Sequence, residues 1–137
     1  MYERILLPVA EDASPDEGYE PIYALAEHHG ATVMVLSVAD TNRDSVTNLG
    51  GEVIDTLESE ATDAVERFAD RARERSIAVE TEVIQGVPDE EVVAYADAHD
   101  ADLIIMRKRD RGRLQEALLG SVTDRVIRLA DPPMLVL

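Results

Sequence analysis

An α/β fold is what this sequence predicts: one doubly wound, five-stranded, mostly parallel sheet with helices on both faces. Three observations carry the prediction. Five short apolar segments, at residues 5–9, 33–38, 77–84, 103–106 and 134–137, alternate with longer stretches of helical periodicity. Several of these segments are continuous rather than alternating, as in strands buried on both faces. The changeovers carry caps, glycines and prolines, which stop one element before the next begins.

The elements follow in order. Ile5-Leu6-Leu7-Pro8-Val9 is the first strand. Ser14-Pro15-Asp16-Glu17 has the pattern of a capping box with proline at the first helical position, so a helix is expected from there to Gly30, with Ile22, Leu25, Ala26 and His29 on one face. Gly30 is expected to be a left-handed terminator. Val33 to Val38 is the second strand, and Asp40 to Gly51 has no periodicity and reads as a loop. Glu52 to Arg75 is a long amphipathic helix, its stripe formed by Val53, Leu57, Ala61, Ala64, Val65, Phe68 and Ala72. Ile77 to Ile84 alternates apolar and polar residues, the mark of a strand near a sheet edge. Gly86-Val87-Pro88 turns into a helix over Asp89 to His99, with Val92, Val93, Tyr95 and Ala96 inward. Leu103 to Met106 is the fourth strand. A last helix is expected from about Leu114 to Ala130, with Val122, Val126, Ile127 and Leu129 apolar, stopped by Asp131-Pro132-Pro133. Met134-Leu135-Val136-Leu137 is the fifth strand.

A chain of 137 residues suits a single domain, taken here as 1–137. Asp and Glu total 29 against 13 Lys and Arg, for a net charge of −16, and Lys108 is the one lysine. A lysine-poor acidic surface suits a salty cytoplasm, because the Debye length falls to ~3 Å at 1 M salt and self-repulsion is screened. A halophilic source is therefore expected. The same charge argues against general nucleic-acid binding. The absence of cysteine excludes disulfides and thiolate metal sites. No apolar run reaches the ~18 residues of a membrane span. The first residues lead straight into an apolar strand without the pattern of a secretory signal, so a cytoplasmic location is expected.

One segment stands apart. Arg107-Lys108-Arg109-Asp110-Arg111-Gly112-Arg113 carries five of the thirteen positive charges, directly after the fourth strand. Gly120-Ser121 then opens the last helix. A strand leading through a charged loop to a Gly-Ser helix start is where α/β proteins hold phosphate.

Taken in this order and spacing, the residues resemble the universal stress protein A family. The resemblance runs over essentially the whole chain. It rests on the opening Ile-Leu-Leu-Pro-Val strand, Leu36-Ser37-Val38-Ala39-Asp40, Gly86-Val87-Pro88, Asp100-Ala101-Asp102-Leu103-Ile104-Ile105-Met106, and Leu118-Leu119-Gly120-Ser121-Val122-Thr123-Asp124-Arg125-Val126-Ile127. It implies strand order 3-2-1-4-5, a homodimer through the fifth strand (Met134, Leu135, Val136, Leu137), and an ATP site, with magnesium, formed in binding members by a motif G-x2-G-x9-G-[S/T]. Here the motif's first glycine falls on Arg107 and its second on Asp110, while Gly120 and Ser121 remain. The family's aspartate at the end of the first strand is Ala10, and Val38 keeps the residue type of the adenine pocket. The implied site is Pro8, Val9, Ala10, Val38, Met106, Arg107, Arg109, Arg111, Gly120, Ser121 and Val122. It is a degenerate site, because Arg107 adds bulk and Asp110 negative charge, whereas the arginines can themselves hold phosphate.

Blander readings compete. A surface arginine run in an acidic chain pairs with carboxylates, its own or a partner's. Ser121 can cap a helix without any ligand. His28, His29 and His99 sit at helix C-termini, where the dipole favours them, and their spacing makes no metal set. Asp12, Asp16, Glu17 and Glu20 read as a solvated acidic face, and Tyr19 and Tyr23 as packing residues. Leu135 and Leu137 could bury inside the monomer rather than at an interface. The expectation is a stress-response module without catalysis, with an ATPase disfavoured by the lack of a P-loop lysine and of a base near the site. The alternative is an interaction protein whose 107–113 loop docks an acidic partner.

Overall fold

The computed structural model describes residues 2–40, 51–107 and 124–137, and for Asp40 and 51–57 the backbone alone. Strands β1 (Arg4–Pro8), β2 (Thr32–Asp40), β3 (Val79–Gly86), β4 (Leu103–Met106) and β5 (Met134–Val136) form one sheet in the order β3-β2-β1-β4-β5. Every neighbouring pair is parallel. Helices α1 (Glu20–His29), α2 (Gly51–Glu74) and α3 (Pro88–Ala98) connect strands, and residues 124–129 form the described part of a last helix, α4.

The two-residue period of the strands sorts the core into two layers. Ile5, Leu7, Val33, Val35, Leu103 and Ile105 face α1 and α2, where Tyr23, Phe68 and Ala72 cover them. Leu6, Met34, Leu36 and Ile104 face α3 and α4, under Val92, Tyr95, Ala96 and Val126. Burial on both faces is why β1 and β4 read as unbroken apolar runs. β3 has one neighbour, and its alternation matches its place at the edge: Glu80, Glu82 and Gln85 are exposed.

Three helices hand the chain to the next strand in the same way. After α1, Ala31 N–H donates to Ala26 O (3.0 Å) across the left-handed Gly30, φ 64°. After α2, Ile77 N–H donates to Ala72 O (2.9 Å) across Ser76, φ 59°. After α3, Ala101 N–H donates to Ala96 O (3.0 Å) across Asp100, φ 55°. These are Schellman closures, which satisfy helix carbonyls while reversing the chain. Asp102 then fastens β4 to β1, its carboxylate accepting the N–H groups of Glu3 (2.8 Å) and Arg4 (3.1 Å).

Four expectations need correction. α1 begins at Glu20, not beside Ser14: residues 11–18 form turns, and the left-handed Gly18 (φ 87°) breaks the helical path. Asp16 N–H does donate to Ser14 Oγ (3.3 Å), but as a local turn. β3 begins at Val79, because Ile77 belongs to the closure of α2. Of the expected α4 stripe, Val126 is buried but Ile127 and Leu129 are 51% and 55% exposed. The acidic face is not merely solvated: Asp16 pairs with Arg71, and Glu20 with Arg75 at 2.7 Å. Arg75 also makes a two-pronged pair with Glu27 (2.6 and 3.0 Å) and lies over the Tyr23 ring. These contacts tie α1 to α2, and the Arg75 hydrogen bond holds the Glu27 carboxyl below its usual range. Burial pushes the Tyr23 phenol well above its ordinary value, and its hydroxyl donates to Phe68 O (3.0 Å).

Candidate functional site

Connections turn to opposite faces of the sheet where strand order reverses, between β1 and β4. The crevice beyond the C-terminal ends of these strands is the natural ligand site of such a sheet. Pro8, Val9 and Ala10 lie at the end of β1, Met106 and Arg107 at the end of β4, and Val38 near the end of β2. The ends are held together by backbone bonds, Val9 N–H to Leu36 O (2.8 Å) and Leu137 N–H to Met106 O (3.0 Å). Six of the eleven residues expected from the sequence are thus gathered at one end of the sheet. Arg109, Arg111, Gly120, Ser121 and Val122 lie outside the described residues, as do Asp110 and the 40–51 loop apart from its two ends.

The six do not present equivalent surfaces. Val9 is 7% exposed, with its side chain in the α1/α2 core layer, so the crevice meets its backbone. Val38 and Met106 are half-buried and pack on the α3/α4 layer. Pro8 and Ala10 are half-buried. Ser37, beside Val38, is buried and its hydroxyl has no hydrogen-bond partner among the described residues.

Arg107 shapes the site most. It is half-buried, and its side chain reaches across from β4 to the turn that precedes α1. Its guanidinium lies over the Tyr19 ring, 5.5 Å from the centroid. It also packs on Gly18: a Cβ there would stand 2.1 Å from Nη2 and 2.4 Å from Cζ and Nε. Tyr19 is buried and meets Phe68 edge-on, with ring centroids 4.7 Å apart. On the far side of the turn, Arg67 of α2 donates to Ala13 O (2.9 Å) and Glu11 O (3.5 Å). One wall of the crevice is therefore a turn held from below by Arg67 and Arg71 and from above by Arg107.

Sequence reasoning missed Gly18, Tyr19 and Arg67 as parts of this site. A signal was present in Gly18, a breaker four residues into an apparent helix start. His29 and His99 make contacts within the fold. Tyr2 N–H donates to His29 Nδ1 (3.3 Å), and His99 stacks on Tyr95 with centroids 3.8 Å apart. Among the described residues no group of three His, Asp or Glu side chains is placed to hold a metal ion, and no helix is long and apolar enough to cross a membrane.

Comparison with known proteins bears on this geometry. A universal stress protein of Methanocaldococcus jannaschii is 30% identical over 139 residues, which span 99% of this chain and 82% of that one. The universal stress protein UspA of Lactobacillus plantarum superposes with a TM-score of 0.82 at 24% identity, over 99% of this chain and 97% of its own. A universal stress protein solved in complex with cAMP gives 0.73 at 18% identity, covering 99% and 97% of the two chains. One from Archaeoglobus fulgidus in complex with dAMP gives 0.69 at 22%, covering 98% and 97%. The profile of the universal stress protein family matches residues 1–137, the whole of the sequence. With the β3-β2-β1-β4-β5 parallel sheet in hand, the chain belongs to the universal stress protein family.

Proposed function

We propose that this chain is a cytoplasmic, homodimeric stress-response module that binds an adenine nucleotide in a modified crevice and turns nothing over. The observation that carries the reading is the position of Arg107. A side chain stands where the resemblance expects a glycine, and it crosses from β4 to Gly18 and Tyr19, which places a guanidinium at the crevice in the glycine's stead. Support comes from the switch-point geometry and from two proteins of the same fold described with cAMP and with dAMP. In this reading Pro8, Val9 and Ala10 line the floor, Val38 and Met106 meet the base, and Gly120 and Ser121, with Val122 beside them, would hold the phosphates. Arg107, Arg109 and Arg111 add positive charge. Magnesium would arrive with ATP. A dimer would form at β5, where Leu135 and Leu137 are each 39% exposed in the single chain rather than buried within it.

The test is calorimetric titration of Mg-ATP into the protein in molar KCl, with phosphate release followed in the same samples. Binding without release is the expected outcome. A folded protein that takes up no nucleotide would overturn the reading and favour the alternative, an acidic partner docked on the 107–113 loop. Phosphate release that Ser121→Ala abolishes would make the protein an ATPase instead.

A further inference from the structure

We infer that Arg107 decides what the crevice admits: its side chain straps the end of β4 to the turn at Gly18 and Tyr19, and a ligand enters by exchanging an anionic group for that contact. This rests on the nucleotide reading above and narrows it to phosphorylated nucleosides.

Both ends of the strap are fixed. Arg107 directly follows Met106, whose backbone is paired with Val136 and whose carbonyl accepts the Leu137 N–H. The receiving turn is fastened to α2 through Arg67, at Ala13 O and Glu11 O, and through the Arg71–Asp16 pair. The contact is built for close approach. Three guanidinium atoms lie within 2.4 Å of where a Cβ at residue 18 would stand, and Gly18 has φ 87°, where glycine is favoured on two counts. The face of Tyr19 under the guanidinium is a platform that the Phe68 ring holds from its edge.

Displacing the strap forfeits this packing and the cation–π contact. A neutral nucleoside gives the guanidinium nothing in return. A phosphate does, because it forms charge-assisted hydrogen bonds with the guanidinium. Arg107 thus sets a discrimination between nucleotide and nucleoside that a glycine at this position could not make.

Two experiments test this separately. The first is a double-mutant cycle on urea unfolding with Gly18→Ala and Arg107→Ala. The backbone strain of alanine at a left-handed residue is common to both backgrounds and cancels. Gly18→Ala should destabilise the parent more than it destabilises Arg107→Ala. Equal destabilisation means the strap is not formed in solution, and overturns the inference while leaving nucleotide binding untouched. The second is titration of adenosine and AMP into the parent and into Arg107→Ala, with folding checked by circular dichroism. Removal of the strap should raise adenosine affinity and lower the AMP-to-adenosine affinity ratio, each by about tenfold. An unchanged ratio overturns the exchange. Should the cycle show coupling while no nucleotide binds either protein, the functional reading falls and Arg107 is a structural tie only.

Discussion

The two edges of the sheet are built differently. β3 pairs with β2 along all eight residues and shows solvent the charged and polar side chains Glu80, Glu82 and Gln85. β5 pairs with β4 over three residues and shows Leu135 and, just beyond it, Leu137. An edge strand carries a row of unsatisfied backbone groups, and charge is the usual protection against pairing with another chain. Among the described residues the β3 edge has that protection and the β5 edge does not. In a chain of net charge −16, the proposed dimer at β5 would bring two copies together where the edge itself carries least charge.

The strongest way to break the contrast is to charge the open edge. In the proposed dimer, Leu135→Glu would place carboxylates near one another across the two-fold axis. Like-charge juxtaposition at an interface costs several kcal/mol, so the dimer dissociation constant should rise about 100-fold or more. Glu82→Ala at the guarded edge should leave it unchanged. Sedimentation equilibrium reads both, and a Leu135→Glu protein that sediments like the parent would place the interface elsewhere.

Salt should sharpen the contrast by a smaller amount. Two chains of −16 repel as they approach, and molar KCl shortens the Debye length to ~3 Å. The exposed pairs Arg71–Asp16, Arg75–Glu20 and Arg75–Glu27 are weakened by the same screening, but pairs open to solvent contribute little to stability. The net effect is stabilising: dimer affinity should rise about tenfold between dilute buffer and molar KCl, and the unfolding midpoint should rise with it. A flat or falling midpoint would remove the case for a halophilic surface.

Much of this architecture was legible in the sequence, and the parts that were not share a cause. The strands were visible because burial on both faces demands unbroken apolar runs, as at Leu103 to Met106, and an edge demands alternation, as at β3. Gly30 was legible as a terminator because glycine advertises a left-handed residue. Ser76 and Asp100 adopt the same conformation without that advertisement, because hydrogen bonds from the following residue impose it. The convergence of Pro8, Ala10, Val38, Met106 and Arg107 at one end of the sheet followed from topology alone. The strap did not. It joins residues far apart in the chain, and its signature, a glycine after an apparent capping box, looks locally like a flaw in a helix. Exposure of Ile127 and Leu129 was missed for a related reason, since periodicity counts apolar residues without showing how much of a helix the sheet can cover.

The smallest expected effect concerns the guarded edge. The Tyr95 phenol is pushed above its ordinary value, first by burial and then by the negative charges of Glu82 and Glu80, with Arg4 opposing. The folded state therefore keeps Tyr95 protonated at pH values where the unfolded chain ionises it. Its contribution is fully present below about pH 10, the ordinary phenol value, and is lost as the pH climbs above that. Tyr23 has a shift of the same sign and adds to the same limb, with burial as its leading cause and neither Glu80 nor Glu82 among the contributors. Variants separate the two. Urea midpoints between about pH 8 and 11 should fall less steeply in Tyr95→Phe than in the parent, and in Glu82→Gln the slope should lie between them. A Glu82→Gln slope equal to the parent's would confine the cause at Tyr95 to burial. An intermediate slope would mean that the acids at the β3 edge also reach into the α3 core, so that protecting an edge and setting the alkaline limit of the fold are two results of the same charges.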